Sequence, residues 1–180
     1  MFKRIGQIVL LIFVCLLLAN LQFSFISSLP GVFNQINLGL IFLIFILFFF
    51  GIKTAVIFIF IFGFLIDSLS FQFFGFYFIS LAGAALASYL ILKNWLTNKS
   101  LYSFWALFLI ATIIYNLLAS IMVFMASNFQ GVPGFFSLVF WRNVFYQSAW
   151  NLLAGALFFN FLASLAKKFK PSFLEKNEGL

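Results

Sequence analysis

The only carboxylate between Met1 and Lys170 is Asp67, in the stretch Gly63–Ser70 that reads GFLIDSLS. A lone acid in an apolar run can carry a proton, pair with a cation or hold a helix end. The groups that would extend it into catalysis are missing, because the chain has no histidine and no second aspartate. Serine hydrolysis on a histidine base, two-aspartate intramembrane proteolysis and histidine-ligated metal sites all need such groups. No catalytic residue, metal or cofactor is therefore assigned, although a proton-coupled carrier that uses Asp67 alone stays open. The other patterned polar groups are Asn143, Gln147 and Asn151, which recur every four residues and so share one helical face, with Arg142 beside the first. A stripe of that kind faces something other than lipid.

Composition decides which elements must position these groups. Hydrophobic residues make up 66% of the 180 positions and charged ones 7%, more apolar surface than a soluble domain buries, which predicts an all-α integral membrane protein forming one unit. A helix needs about 20 apolar residues to cross about 30 Å of hydrocarbon. The polar punctuation predicts six crossings, roughly at 5–25, 38–50, 54–70, 76–92, 103–126 and 138–166, with a basic tail at 167–180. The second is short and is expected to draw on Ile36 and Asn37 or to tilt little. Residues 1–21 have the basic-then-apolar look of a signal peptide without a small-x-small cleavage site, so they read as an uncleaved first span. Cys15 lies inside it as a packing residue.

The cations support an even number of crossings. Lys3 and Arg4 precede the first span, Lys53 joins the second and third, Lys93 and Lys99 join the fourth and fifth, and Lys167, Lys168, Lys170 and Lys176 follow the sixth. Six crossings put all of these on one face, which the positive-inside rule assigns to the cytoplasm together with both termini, and leave only Arg142 outside. The net charge of +7 then reflects topology and contact with anionic lipid, not nucleic acid.

With Thr54 as a predicted N-cap of the third span, Asp67 stands about 20 Å up the helix axis, in the outer half of the membrane. An acid costs at least ~2.5 kcal/mol at the centre of a membrane helix on insertion scales, and near a helix C-terminus the dipole disfavours it. Two readings follow. Asp67 ends its helix and bonds to the turn at Ser68 and Ser70, or it makes a required polar contact with another helix or a partner. Arg142 is the candidate within the chain; its alternative is to snorkel to headgroups beside Trp141 and Tyr146. The fourth span carries two small-residue rows, Ser80, Ala84 and Ser88, and Gly83 and Ala87, that admit a close helix either within the bundle or from a partner.

Taken together, Asn37 opening the second span, the short basic hairpin at Lys53, a span ending Gly63-x-x-x-Asp67, Gly75 eight residues on, the segment VFWRNVFYQSAW and the basic tail resemble the rod shape-determining protein MreD family. The chain departs from that pattern at Ile36, Phe71 and Phe74, where the family often has Pro, Gly and Leu. The resemblance implies a non-enzymatic component of the bacterial elongasome in the inner (cytoplasmic) membrane, bound to an MreC-like protein and linked with MreB, RodA and a class B penicillin-binding protein. It also implies a fold similar to the six-helix substrate-binding subunits of energy-coupling-factor vitamin transporters, which supplies a second functional reading. Such a subunit needs an outward pocket, and NFQGVPGFF is the only pocket-like outer stretch. Asp67, Gly63, Gly75, Asn37, Arg142, Asn143, Gln147, Asn151, Ser80, Gly83, Ala84 and Ala87 are the expected structural or partner contacts.

Overall fold

The structure, a computed structural model, describes residues 2–70, 72–95, 101–126 and 138–169. Lys99, the 127–137 loop with the NFQGVPGFF stretch, and the tail from 170 lie outside them, as do the side chains of Lys3, Arg4, Lys167 and Lys168.

Regular structure among the described residues is entirely helical. Helix α1 (Phe2–Asn20) continues through a π turn (Leu21–Phe25) and a 3₁₀ turn (Ile26–Ser28), and a further 3₁₀ turn (Gly31–Gln35) leads to α2 (Leu38–Phe50), α3 (Ile52–Leu69), α4 (Phe76–Asn94), α5 (Leu101–Ala126) and α6 (Leu138–Phe169). Four helical stretches among the described residues, Leu11–Ser28, Ile52–Leu69, Phe76–Asn94 and Tyr102–Met125, are long and apolar enough to cross a membrane, with α2 as a shorter apolar helix. This is a multi-pass membrane protein.

The shortest helix is the central one. α2 is apolar on every side, the pattern of a helix enclosed by protein; eight of its 13 residues are buried, and it touches all five of the others. Its Phe48 meets Phe104 of α5 edge-to-face, while Phe58 and Phe62 of α3 stack at 5.1 Å in the same core. The chain reaches α2 by turning back into the bundle. After α1 rises to Ser28, the segment that follows descends until Ile36 and Leu38 lie beside Gln22, inside the first spanning stretch. α2 therefore starts below the end of its neighbour, at the depth of Gln22.

Two glycines set the spacing of α4. A Cβ on Gly63 would stand 3.0 Å from Cα of Phe78, so α3 and α4 meet almost backbone to backbone, and a Cβ on Gly83 would overlap Leu118 of α5. Ser80, Ala84 and Ser88 are buried in the bundle, and Ala87 is half-buried. The small rows of α4 are thus largely taken up by packing inside the protein. The expected N-cap at Thr54 is corrected: α3 begins at Ile52, and Gly51 holds the cap position with φ +81°. The abrupt reversal after α2 demands a left-handed residue, and glycine adopts that conformation without steric cost.

Candidate functional site

The polar side chains gather at the end of the bundle where α3 joins α4, and each group there is tied to a helix start. A helix begins with amides that have no partner in its own ladder. Inside a membrane no water satisfies them, so protein must.

At the start of α4 the acceptor is Asp67. Its Oδ1 accepts from the Tyr77 amide at 2.8 Å, and its Oδ2 accepts from the amides of Gly75 at 3.1 Å and Phe78 at 3.2 Å. Gly75 makes this possible, because its φ of +96° turns the chain into α4 with its N–H aimed back at α3. The carboxylate is buried. It lies at the end of its own helix, where the dipole opposes it, but at the positive start of the next, where charge-assisted amide bonds and the dipole favour it. The expected bond to the turn serines is corrected; the expected polar contact with another helix is made, but to the α4 amides and not to Arg142. Ser70 bonds to the Asp67 main-chain carbonyl at 3.3 Å and Ser68 turns back to Phe64, so neither serine holds the carboxylate. Arg142 does not either: it is exposed. Preoriented amides a few residues away supply the donors without stripping water from a guanidinium. Gly63, Asp67 and Gly75 thus form one clasp between α3 and α4.

At the start of α2 the partners come from three helices. Asn37 Oδ1 accepts from the Leu40 amide at 3.0 Å as an N-cap. The Leu38 amide donates to Gln22 Oε1 at 2.8 Å, Gln22 Nε2 donates to the Ile36 carbonyl at 3.0 Å, and the Asn37 amide donates to Asn151 Oδ1 at 2.9 Å. Buried Tyr115 of α5 lies beside the Asn37 side chain. Asn151 is fully enclosed, and its Nδ2 has no partner among the described residues.

The α6 stripe resolves with depth. Asn143, exposed at the top, accepts from Gln35 Nε2 at 3.4 Å; Gln147 accepts from Asn116 Nδ2, which also donates to the Thr112 carbonyl; Asn151 meets Asn37. The stripe faces the inturned segment and α5, and Phe33 on Trp150 at 4.4 Å seals the same seam. Beside it opens a cleft of about 240 Å³ lined by Phe76, Asn116, Ser120, Val139, Phe140 and Asn143. Sequence reading passed over Gln22, Tyr115 and Asn116. Gln22 and Asn116 carried the signal that singled out Asp67, a polar side chain within an apolar run.

Two expected outcomes follow from these ties. Gly75→Ala forces a side chain into the left-handed region and should cost about 1–2 kcal/mol, read as a lower unfolding temperature in detergent. Asn151→Leu leaves the Asn37 amide unsatisfied in the interior, at about 1–3 kcal/mol, and should speed hydrogen exchange at the start of α2 without changing that at the start of α4.

No family model, curated protein or solved structure matches the chain.

Proposed function

We propose that this chain is a non-enzymatic scaffold of the bacterial cell-wall elongation machinery, crossing the inner membrane six times with both termini in the cytoplasm and holding an MreC-like protein through its helix faces. The observation that carries the reading is the state of Asp67. Its two oxygens receive three main-chain amides, which leaves the one intramembrane acid occupied as a fastener, not free as a proton carrier. The residues on which the resemblance to the MreD family rests, Gly63, Asp67 and Gly75, act together as that fastener, and Asn37 has the matching task on α2. What remains for interaction is the lipid-facing surface, rich in large side chains such as Phe13, Leu17, Leu153 and Leu157. MreB, RodA and a class B penicillin-binding protein enter this reading as more distant associates.

Depletion in a rod-shaped host is expected to turn cells round, and purification from solubilised membranes to carry an MreC-like protein along. Normal shape with no such protein recovered counts against the reading. Reporters fused at Lys53 and Lys99 are expected in the cytoplasm and those near Gly31 and Gly131 outside; one interior reporter on the wrong face breaks the six-crossing arrangement. The vitamin-transporter reading is favoured by one feature, the cleft bounded by Asn116, Ser120 and Asn143. Its test is thermal: a ligand at a hundredfold excess over its dissociation constant stabilises the folded state by about 2.7 kcal/mol, so a clear rise in unfolding temperature with a water-soluble vitamin would replace the scaffold reading.

A further inference from the structure

The outward side of the α3–α4 seam is a continuous apolar groove. Its upper part, about 210 Å³, is walled by Phe60, Phe64, Phe74 and Phe78 and ends against Asp67 and Gly75; its lower part, about 170 Å³, runs over Ala82 and Ala85 between Val56 and Leu86, and the two share Phe60 and Phe78. The contact of Gly63 with the Phe78 main chain draws the helices together. Alanines keep the lower floor low while phenylalanines raise the walls. Volumes of this size suit a hydrocarbon chain better than a helix body about 10 Å across.

Charge selects the occupant. Because α3 and α4 form a hairpin closed at Asp67, Lys53 in the first turn of α3 and Lys93 in the last turn of α4 stand at the same, opposite end, both exposed. Ile52, next to Lys53, lines the lower mouth of the groove. The only acid among the described residues is Asp67, at the opposite end of the groove about 20 Å along α3, where the α4 amides take its carboxylate. Exposed Trp95 and Tyr102 flank this end, an aromatic pair typical of the headgroup level. A basic mouth at headgroup depth above a dry slot is the arrangement that recognises an anionic lipid.

We propose that the α3–α4 groove is a binding site for an anionic phospholipid, with an acyl chain between Phe60 and Phe78 and the phosphate between Lys53 and Lys93. The inference rests on the chain lying in a bilayer and is independent of the scaffold reading. The test is native mass spectrometry of the protein released from nanodiscs of equal phosphatidylglycerol and phosphatidylethanolamine. The wild type should retain phosphatidylglycerol preferentially; Lys53→Ala with Lys93→Ala should lose that preference by about fivefold per lysine, while Arg142→Ala leaves it unchanged. Val56→Trp, filling the lower slot from an exposed position, should reduce retention of both lipids with the unfolding temperature in detergent held. Equal retention of the two lipids by the wild type, or an unaltered preference in the double variant, overturns the proposal. So does a photoreactive side chain at Val56 that labels a protein in native membranes instead of lipid, which would give the groove to a partner helix.

Discussion

Asp67→Leu is expected to be the most damaging single substitution in the chain. Leucine is bulkier than aspartate and accepts no hydrogen bond, so the amides of Gly75, Tyr77 and Phe78 lose their acceptor at a depth where water does not replace it. At about 1–3 kcal/mol for each buried donor left unsatisfied, and with some relaxation of the turn, the loss should exceed about 3 kcal/mol. Asp67→Asn should be milder, at about 1–3 kcal/mol. Its carboxamide has one acceptor oxygen, which can serve Tyr77 or the Gly75–Phe78 pair but not both, while its NH₂ faces a donor. Thermal unfolding of the purified variants in one detergent ranks them. Exchanging charges, Asp67→Arg with Arg142→Asp, should restore nothing, because the two side chains do not meet. An Asn variant as harmful as the Leu variant, or a rescued exchange, would show that charge at this position acts through a group other than the α4 amides.

The second large effect is expected from Gly63→Leu. The Cβ position faces the Cα of Phe78 at 3.0 Å, and a backbone atom, unlike a flexible side chain, cannot swing aside. α3 and α4 must separate, at the ~1–3 kcal/mol typical of overpacking, and the separation draws Asp67 off its amides. The two substitutions therefore act on one feature. Combined, Gly63→Leu and Asp67→Leu should cost less than the sum of the single losses, which a double-mutant cycle measures. Gly39→Ala, whose Cβ meets the ring of Phe62 and not a backbone atom, should be milder, since a side chain can shift where a main chain cannot.

The helical architecture was legible because apolar runs and polar punctuation are local properties; Leu38–Phe50 was readable as too short for an ordinary crossing, and Asn37 as its entry. That Asn143, Gln147 and Asn151 share one helical face was legible from their spacing. What they touch was not. Spacing gives a face, and the neighbour on that face depends on how distant segments pack, so Gln22 and Tyr115 went unnoticed beside Asn37. Asp67 shows the same limit. Reading along one helix places it at an unfavourable terminus and sends the search to a distant cation, whereas the hairpin brings the favourable terminus of the next helix within hydrogen-bonding range. Backbone amides bear no letter in a sequence, which is why they are overlooked as partners.

The fastening of α2 by Asn151 bears on the order in which the protein is made. The Asn37 amide and its acceptor lie 114 positions apart, so during synthesis the first two helices enter the membrane long before the residue that completes their junction leaves the ribosome. Until then the start of α2 has Gln22 and its own Asn37 side chain, and the inturned segment above it lacks Phe33's neighbour Trp150. The central helix of the finished bundle is thus the last to be fully secured.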